Sequence, residues 1–486
     1  MSEKIRFTPF MRQCLVAAAV SINMVGFGCT AGFPGIMLPQ LQEPGSTISV
    51  TKDQASWLAS VGSITLVFGT FNVPSIMSRY GRKVALYAAT VVSILAWCCY
   101  MLATSYGVLL LGAMAHGFSF GMIAPLRSIY VGECSSPRYR GGLLAICIES
   151  QIFGVLIVHL TGSFISYQLT ALYSMSFPVI SLVIFIYSPE SPSWLATKGQ
   201  YDKCRQNFLW LRGEEEIPEC EDMIQAANVL QNSSLSTVKE IIEVVKKKEY
   251  FKPIIVMFAL YIIIPCTGGL PTAIYGVTIL KILMGPEVNA NLWMVGLDCV
   301  RVVTTGITVF VINKVKRRKL LFSVGSLCVG SQICLGAYMI LRNNGLIPLN
   351  LWIPGVLISV QMLSISLGMQ PLPGVIAGEV YPLQHRGLAG SIGLIMLSIS
   401  VFSVLKGYMS LISMIGLEGI YFLFSLVITF CLMVVWVLLP ETSGRTLQEV
   451  EDHFRAPLLE ADERQPLTRS VTASYLSINE KRCVRV

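Results

Sequence analysis

Charge is what this sequence has least of. Only 13% of its 486 residues are Asp, Glu, Lys or Arg, against roughly a quarter in soluble domains, while 53% are hydrophobic and mean hydropathy is +0.65. That balance excludes an ordinary soluble enzyme, and it equally excludes a disordered chain, whose composition is the reverse. Paired cysteine motifs are also missing. The 14 Cys include no CxxC pair and no His spacing suited to a metal, and most, such as Cys98, Cys99 and Cys431, lie inside apolar runs, where they read as small hydrophobes. There is no G-x-x-x-x-G-K-[ST] phosphate loop, and Ser, His and Asp are scattered over opposite membrane faces, so the sequence gives no reason to expect an enzyme or a cofactor. The opening MSEKIRFTPFMRQ lacks a signal-peptide cleavage pattern, and the first apolar run is expected to remain as a span.

What is there is length of apolar sequence. A helix needs about 20 such residues to cross a bilayer. Twelve runs reach or approach that length: 13–37, 55–77, 84–104, 107–131, 144–166, 170–188, 253–279, 291–312, 320–340, 350–378, 388–412 and 418–439. Backbone groups in lipid must be satisfied internally, and runs this long exclude the shorter alternating strands of a barrel. The expected fold is an all-α membrane protein of twelve transmembrane helices, with the lipid bilayer as its first partner.

An even number of spans places both termini on one side. Of 36 Lys and Arg, 30 fall on segments of a single side: 1–12, Arg79 to Lys83, Arg138 and Arg140, 189–252, Lys314 to Lys319, Arg386 and the residues after 440. The opposite loops hold only Lys52, Lys281 and Arg342. By the positive-inside rule the basic side is cytoplasmic. The net charge of +8 is then topology, not a nucleic-acid surface, and the one N-x-[ST] sequon, Asn232, is expected to stay unmodified on that side.

The chain also repeats itself. Glu133 and Arg140 stand seven apart in GECSSPRYRG, as Glu379 and Arg386 do in GEVYPLQHRG, an offset of 246; the basic turns from Arg79 and from Lys314 are offset by 235, and Pro189-Glu190 and Pro440-Glu441 by 251. Duplicated helix bundles are a common way to build a transporter. The expected organisation is a cytoplasmic N-terminus (1–12), a six-helix bundle (13–188), a cytoplasmic helical linker (189–252), a second six-helix bundle (253–439) and a cytoplasmic tail (440–486). The linker holds 20 charged residues in 64, with helix-like patterns at 198–212 and 236–248.

At these motifs the sequence resembles the sugar porter family of the major facilitator superfamily, and within it the insect facilitated trehalose transporters. The family's D-R-x-G-R-[RK] turn is met by Ser78 through Lys83, with Ser in the acidic position, and again by Asn313 through Arg318, with Lys316 in place of Gly. Its PESPRxL is met by Pro189 through Leu195, and its PETKGRTLxE by Pro440 through Glu449. The stretch from Pro371 and Pro373 through Glu379, Pro382, Arg386 and Gly387 matches as well, and Lys406 falls where the trehalose carriers typically carry a Lys.

The resemblance implies a carrier working by alternating access. It also implies a cytoplasmic latch of Arg79, Arg82, Glu133, Arg140 and Glu190 in one half and Arg317, Arg318, Glu379, Arg386, Glu441 and Arg445 in the other, whose Arg to carboxylate pairs would hold the cytoplasmic mouth shut. The plainer reading of the same charges is topology plus helix capping. Each sugar hydroxyl needs a partner once water is removed, so the family lines its cavity with amides. Here those positions fall on Ile148, Ile264, Pro265 and Leu270, and the stacking Trp on Gly374; the remaining cavity candidates are Gln151, Thr267, Gly268, Tyr275, Gln370 and Arg301.

Charges inside spans are costly and usually functional. Asp298 and Arg301 share a helix face and can pair with each other, while Arg301 also lands at a cavity-facing position of the family. Arg127 and Lys406 read as snorkelling residues, and His116, His159 and Glu149 as packed ones. The first span has no acid where proton-coupled sugar porters place an Asp, which implies facilitated diffusion. Three functions stay open on these residues: a facilitative sugar carrier in the plasma membrane, a carrier of a non-sugar, anionic solute, and a transporter-like sensor that binds without transporting.

Overall fold

The computed structural model describes residues 8–214, 216–230, 248–381 and 386–443, with Val450 and Phe454 beyond them. The first bundle consists of α1 (Pro9–Gln42), α2 (Lys52–Tyr80), α3 (Arg82–Met101), α4 (Tyr106–Cys134), α5 (Pro137–Gly162) and α6 (Tyr167–Tyr187). Short helices α7 (Pro192–Thr197), α8 (Tyr201–Arg212) and α9 (Ile217–Leu230) follow. The second bundle consists of α10 (Lys248–Cys266), α11 (Gly269–Met284), α12 (Ala290–Lys314), α13 (Arg317–Asn343), α14 (Trp352–Ser364), α15 (Pro371–Val380) and α16 (Arg386–Leu438). This is an integral membrane protein, and most helices outrun the apolar runs that announced them.

Local chemistry explains the starts and stops. The Thr8 hydroxyl accepts the Met11 amide at 3.3 Å ahead of Pro9, whose missing N–H is harmless in a first turn. Thr51 and Gln54 form a reciprocal capping box at the head of α2. The helical stretch Gly390–Leu438 has 49 residues and would run about 74 Å if straight, more than twice a bilayer's apolar thickness. Gly416, at φ 72°, breaks it into two crossings.

Two expected spans are interrupted. The run 253–279 becomes α10 and α11, parted at Thr267 and at Gly268, whose φ of 88° suits only glycine comfortably. The run 350–378 becomes α14, a π turn at Ile365–Met369, and α15 beginning at Pro371. A continuous apolar pattern hides such breaks because hydrophobicity does not report backbone angles.

The linker helices sit beneath the first bundle. Arg12 Nη1 donates to the Trp210 carbonyl at 2.9 Å, Gln13 Nε2 to that of Leu211 at 3.2 Å, and the buried Arg212 donates to that of Ser135 at 2.8 Å. Leu195, Cys204, Phe208, Cys220 and Ile224 form a small core of their own. The second helix-like pattern of the linker, 236–248, lies almost wholly outside the described residues.

Packing inside the first bundle relies on close backbone approach. A Cβ on Gly28 of α1 would stand 1.9 Å from the Gln151 carbonyl oxygen, and one on Gly154 of α5 would stand 2.1 Å from that of Val25. Small residues let helices meet where lipid supplies no hydrophobic drive. Gly154→Val should therefore force α1 and α5 apart and lower the apparent unfolding midpoint in detergent by several degrees, on the order of 1–3 kcal/mol of overpacking. Gly141→Val on the same helix, where a Cβ meets nothing within 4 Å, should change it little; equal midpoints in the two variants would contradict this packing.

Candidate functional site

The two ends of the bundles differ in chemistry. The basic face carries the helix ends around Arg82, Glu133 and Glu190 in the first half and Arg317, Glu379 and Glu441 in the second. On that face Glu190, just past α6, accepts the backbone amides of Arg82 (3.0 Å) and Lys83 (3.1 and 3.2 Å), capping α3 from a distance. Arg82 makes a two-pronged pair with Glu133, both contacts at 3.0 Å, and Ser191 Oγ donates to the same carboxylate. Burial pushes the Glu190 carboxyl above its ordinary range, against the pull of the Ser191, Lys83 and Arg82 amides.

The second half repeats the arrangement. Glu441 accepts the amides of Arg317 (3.1 Å) and Arg318 (3.2 Å), Arg317 Nε meets Glu379 at 3.3 Å, and Thr442 donates to Glu379 at 2.6 Å. The structure thus differs from the expected latch. The described pairs close within each half, because α3 and α13 begin beside the carboxylates of their own bundle. Arg79 lies over the Tyr80 ring, and Arg140 donates to the Ser135 carbonyl at 3.4 Å with its Nε buried and unpaired. The Arg386 side chain and Arg445 lie outside the described residues.

Among the described residues, polar contacts between the halves gather instead at the opposite, far face. Lys406 of α16 reaches Asp53 (2.6 Å) and Ser56 (2.8 Å) of α2 and lies 4.5 Å from the Trp57 ring centroid, so it is anchored across the seam rather than snorkelling. His159 of α5 places Nδ1 2.5 Å from Asp298 Oδ2 of α12 and Nε2 3.1 Å from the Ala273 carbonyl oxygen of α11. The other oxygen of Asp298 faces Arg301 Nη1 at 3.5 Å. All three of these side chains are buried. A Cβ on Gly35 would stand 2.3 Å from the Ala273 carbonyl oxygen, which shows how closely α1 and α11 approach here. Between the halves a cavity of about 500 Å³ opens at the far face, lined by Gly35, Gln40, Glu43 and Ser166 of the first half and Lys281 and Asn289 of the second among others.

The cavity candidates have varied surroundings. Gln151 accepts a hydrogen bond from Arg127 at 3.0 Å, which gives that arginine a polar partner inside the first bundle. Thr267 is buried at the break between α10 and α11; its hydroxyl donates to the Ile264 carbonyl, and its own carbonyl accepts from Gln332 (3.1 Å) and Gln361 (2.6 Å). Those two amides hold the broken backbone, which leaves their carbonyl oxygens buried without partners. Tyr275 donates to the Leu405 carbonyl at 3.0 Å and stacks on Tyr408, so its hydroxyl is committed within the second bundle. Gln370, beside the π turn, is exposed. Arg301 turns to Asp298 and not to open space, and its Nε is buried and unpaired.

The sequence reading did not single out Gln332, Gln361 or Asp53. The two glutamines carried a signal, since an amide within an apolar run must find a partner. Asp53 carried none, because an acid in the first turn of a helix reads as a cap.

Two bundles of this architecture, each with the same basic-face cluster, define a transporter of the major facilitator fold. The chain belongs to the sugar (and other) transporter family, which it matches over residues 14–454. It is 26% identical over 451 residues to a facilitated trehalose transporter Tret1 of Apis mellifera ligustica, covering 92% of this chain and 89% of that one. The Bombyx mori protein of the same name is 25% identical over 440 residues, covering 90% and 86%. In structure the chain resembles the inward-open conformation of the xylose transporter XylE from E. coli, with TM-score 0.74 at 15% identity and coverage of 92% of this chain and 100% of that one. It also resembles the proton:xylose symporter XylE bound to 6-bromo-6-deoxy-D-glucose, with TM-score 0.72 at 14% identity and the same coverage.

Arg301 and Asp298 generate a test. Removing one member of a buried ion pair strands the other, at a cost of about 3–5 kcal/mol, whereas removing both is far milder. Asp298→Asn should lower the apparent unfolding midpoint sharply, and adding Arg301→Met should recover the part of the loss that comes from the stranded arginine, though not the part from the weakened His159 contact. A double variant no more stable than Asp298→Asn alone would mean that the two side chains do not depend on each other.

Proposed function

We propose that this protein is a facilitative sugar carrier working by alternating access, with a hexose or a trehalose-like disaccharide as solute and no chemical step. The observation that carries the reading is the asymmetry of the seam. Among the described residues, the polar contacts between the halves lie at the far face and are made by side chains that can separate, while the clusters on the basic face bind each half to itself. Two bundles joined in this way can rock about a central solute. Membership in the sugar (and other) transporter family and the names of the insect relatives support a sugar over an anionic solute.

The excess of Lys and Arg at the basic face supports a cytoplasmic location for that face and for both termini, with the plasma membrane as the setting. The far face is then extracellular, and the conformation described is closed to the outside. The Arg127–Gln151 pair and the exposed Gln370 are polar groups within the membrane helices that a solute could use. On this reading the basic-face clusters act as rigid corner pieces.

Proteoliposomes given labelled trehalose, glucose and other hexoses should take up at least one of them down its gradient, to the same extent with and without a protonophore. Uptake abolished by the protonophore would overturn facilitated diffusion. Binding of a sugar without uptake would favour a sensor instead.

A further inference from the structure

We propose that the far-face cavity between the halves is an outer sugar site, and that a sugar held there keeps the far face closed. At about 500 Å³ the cavity falls within the range of roughly 300–1,000 Å³ typical of small-molecule pockets. Both halves build it. Glu43 stands just past α1 and Phe164 just past α5, while Lys281 belongs to α11 and Asn289 and Asn291 to the start of α12. Its floor is the closed seam. Gly35 lines the cavity, and at the same residue α1 meets the Ala273 carbonyl of α11 so closely that a Cβ would stand 2.3 Å away. A solute arriving from this side therefore stops at the cavity, short of the centre.

The lining has the chemistry that a sugar needs. Hydroxyl groups require donors and acceptors together, and the C–H face of a sugar ring requires an apolar surface to lie on. The Glu43 carboxylate accepts, the Lys281 ammonium donates, and the Asn291 amide does both. Among the described residues none of these three side chains has a hydrogen-bond or ion-pair partner. Asn289 spends its carbonyl oxygen on the Leu292 amide at 3.1 Å, which leaves its NH₂ group to donate. Phe164 is 79% exposed and meets no other ring among the described residues, so its face is free as a platform. The charges also select. An anion drawn to Lys281 would share the cavity with Glu43, and a cation drawn to Glu43 would share it with Lys281, so opposite charges on the two walls favour a ligand of no net charge. Two amides and an aromatic face then favour a polyhydroxylated ring over a simple zwitterion.

The position of the groups gives the site its effect. A sugar bonded to Glu43 on one wall and to Lys281 or Asn291 on the other reaches both only while the far face is closed. When the halves part, it keeps one wall and loses the other. Its affinity is therefore greater for the closed conformation, and binding shifts the population that way. External sugar thus has two opposed effects: at low concentration it feeds the central path, and at high concentration it fills the outer cavity and slows the opening on which uptake depends.

The inference rests on the sugar-carrier reading, yet its first measurement needs no transport. Ile165→Cys places a reporter in the lining apart from the recognition groups, in the full chain with exposed Cys299 and Cys334 changed to Ser. The signal is the labelling by a membrane-impermeant thiol reagent that this cysteine adds to its parent. Trehalose or glucose in excess should slow that labelling several-fold, and glycine should not. In the same proteoliposomes the initial rate of uptake should rise with external sugar, pass through a maximum and fall. Lys281→Met and Asn291→Leu should each move the protection and the fall to about tenfold higher sugar, the effect of losing one good hydrogen bond. Their labelling without sugar should match that of the reporter chain, which shows the far face intact. Labelling that neither sugar slows, or that glycine alone slows, would overturn the outer sugar site even where uptake proceeds. Protection unchanged in both variants would place the sugar elsewhere and overturn it too. Uptake that saturates without falling would overturn the hold on the far face. Protection with no uptake would refute the carrier and support the site. The reporter chain's two measurements decide by themselves if a variant fails to fold.

Discussion

A carboxylate buried between two bundles that must separate needs a partner that stays with it. Asp298 has one: Arg301, one helical turn along α12, faces one of its oxygens whatever the other half does. The second oxygen is left to His159, which belongs to the opposite half. Without Arg301 the parting of the halves would strand a charge at a cost of several kcal/mol. With it, opening costs one hydrogen-bonded contact. The remaining features of the far face follow from that economy. Gly32 and Gly35 let α1 come close enough to seal the site, and the Ala273 carbonyl satisfies the other side of the ring.

The basic face solves the opposite problem, that of keeping helices together. Each half uses one carboxylate to cap the helix that follows its basic turn, Glu190 for α3 and Glu441 for α13. Each uses a second, Glu133 or Glu379, to bind the arginine of that turn, and a hydroxyl from Ser191 or Thr442 to fix the second carboxylate. Even the lesser contacts recur. Arg82 donates to the Met77 carbonyl as Arg317 does to that of Ile312, and Lys83 to that of Ile186 as Arg318 does to that of Trp436. Such correspondence across about 250 residues follows from duplication, and it explains why charge spacing was the clearest repeat signal in the chain.

The sequence made the spans, the repeat and the basic-face residues legible because each has a one-dimensional signature: a length of apolar residues, an offset, a spacing. What it did not disclose depends on which surfaces meet. The same charges that resemble a latch between halves form corner clusters within them, since spacing along the chain cannot say which bundle supplies a partner. His159 read as a packed residue and Lys406 as a snorkelling one, yet both reach across the seam. Their partners, Asp298 and Asp53, lie 139 and 353 positions away. The break at Gly268 was hidden because Thr267 and Gly268 interrupt an apolar run without ending it, and the amides that mend it come from α13 and α14.

The energies of the two faces differ in the way a carrier requires. Asp53 is 75% exposed, and an ion pair in that setting contributes about 0–1 kcal/mol. A buried charge-assisted contact such as that between His159 and Asp298 contributes about 1.5–3 kcal/mol. Together they amount to a few kcal/mol, the range in which a modest differential affinity redistributes two conformations. The basic-face clusters gather several such contacts in each half, and none of them is broken when the halves rock about a solute. A seam held more strongly would trap one state. One held only by exposed charges would depend on salt concentration, since pairs in water are screened. Placing one buried contact behind one exposed contact leaves the seam closed at rest and within thermal reach of opening.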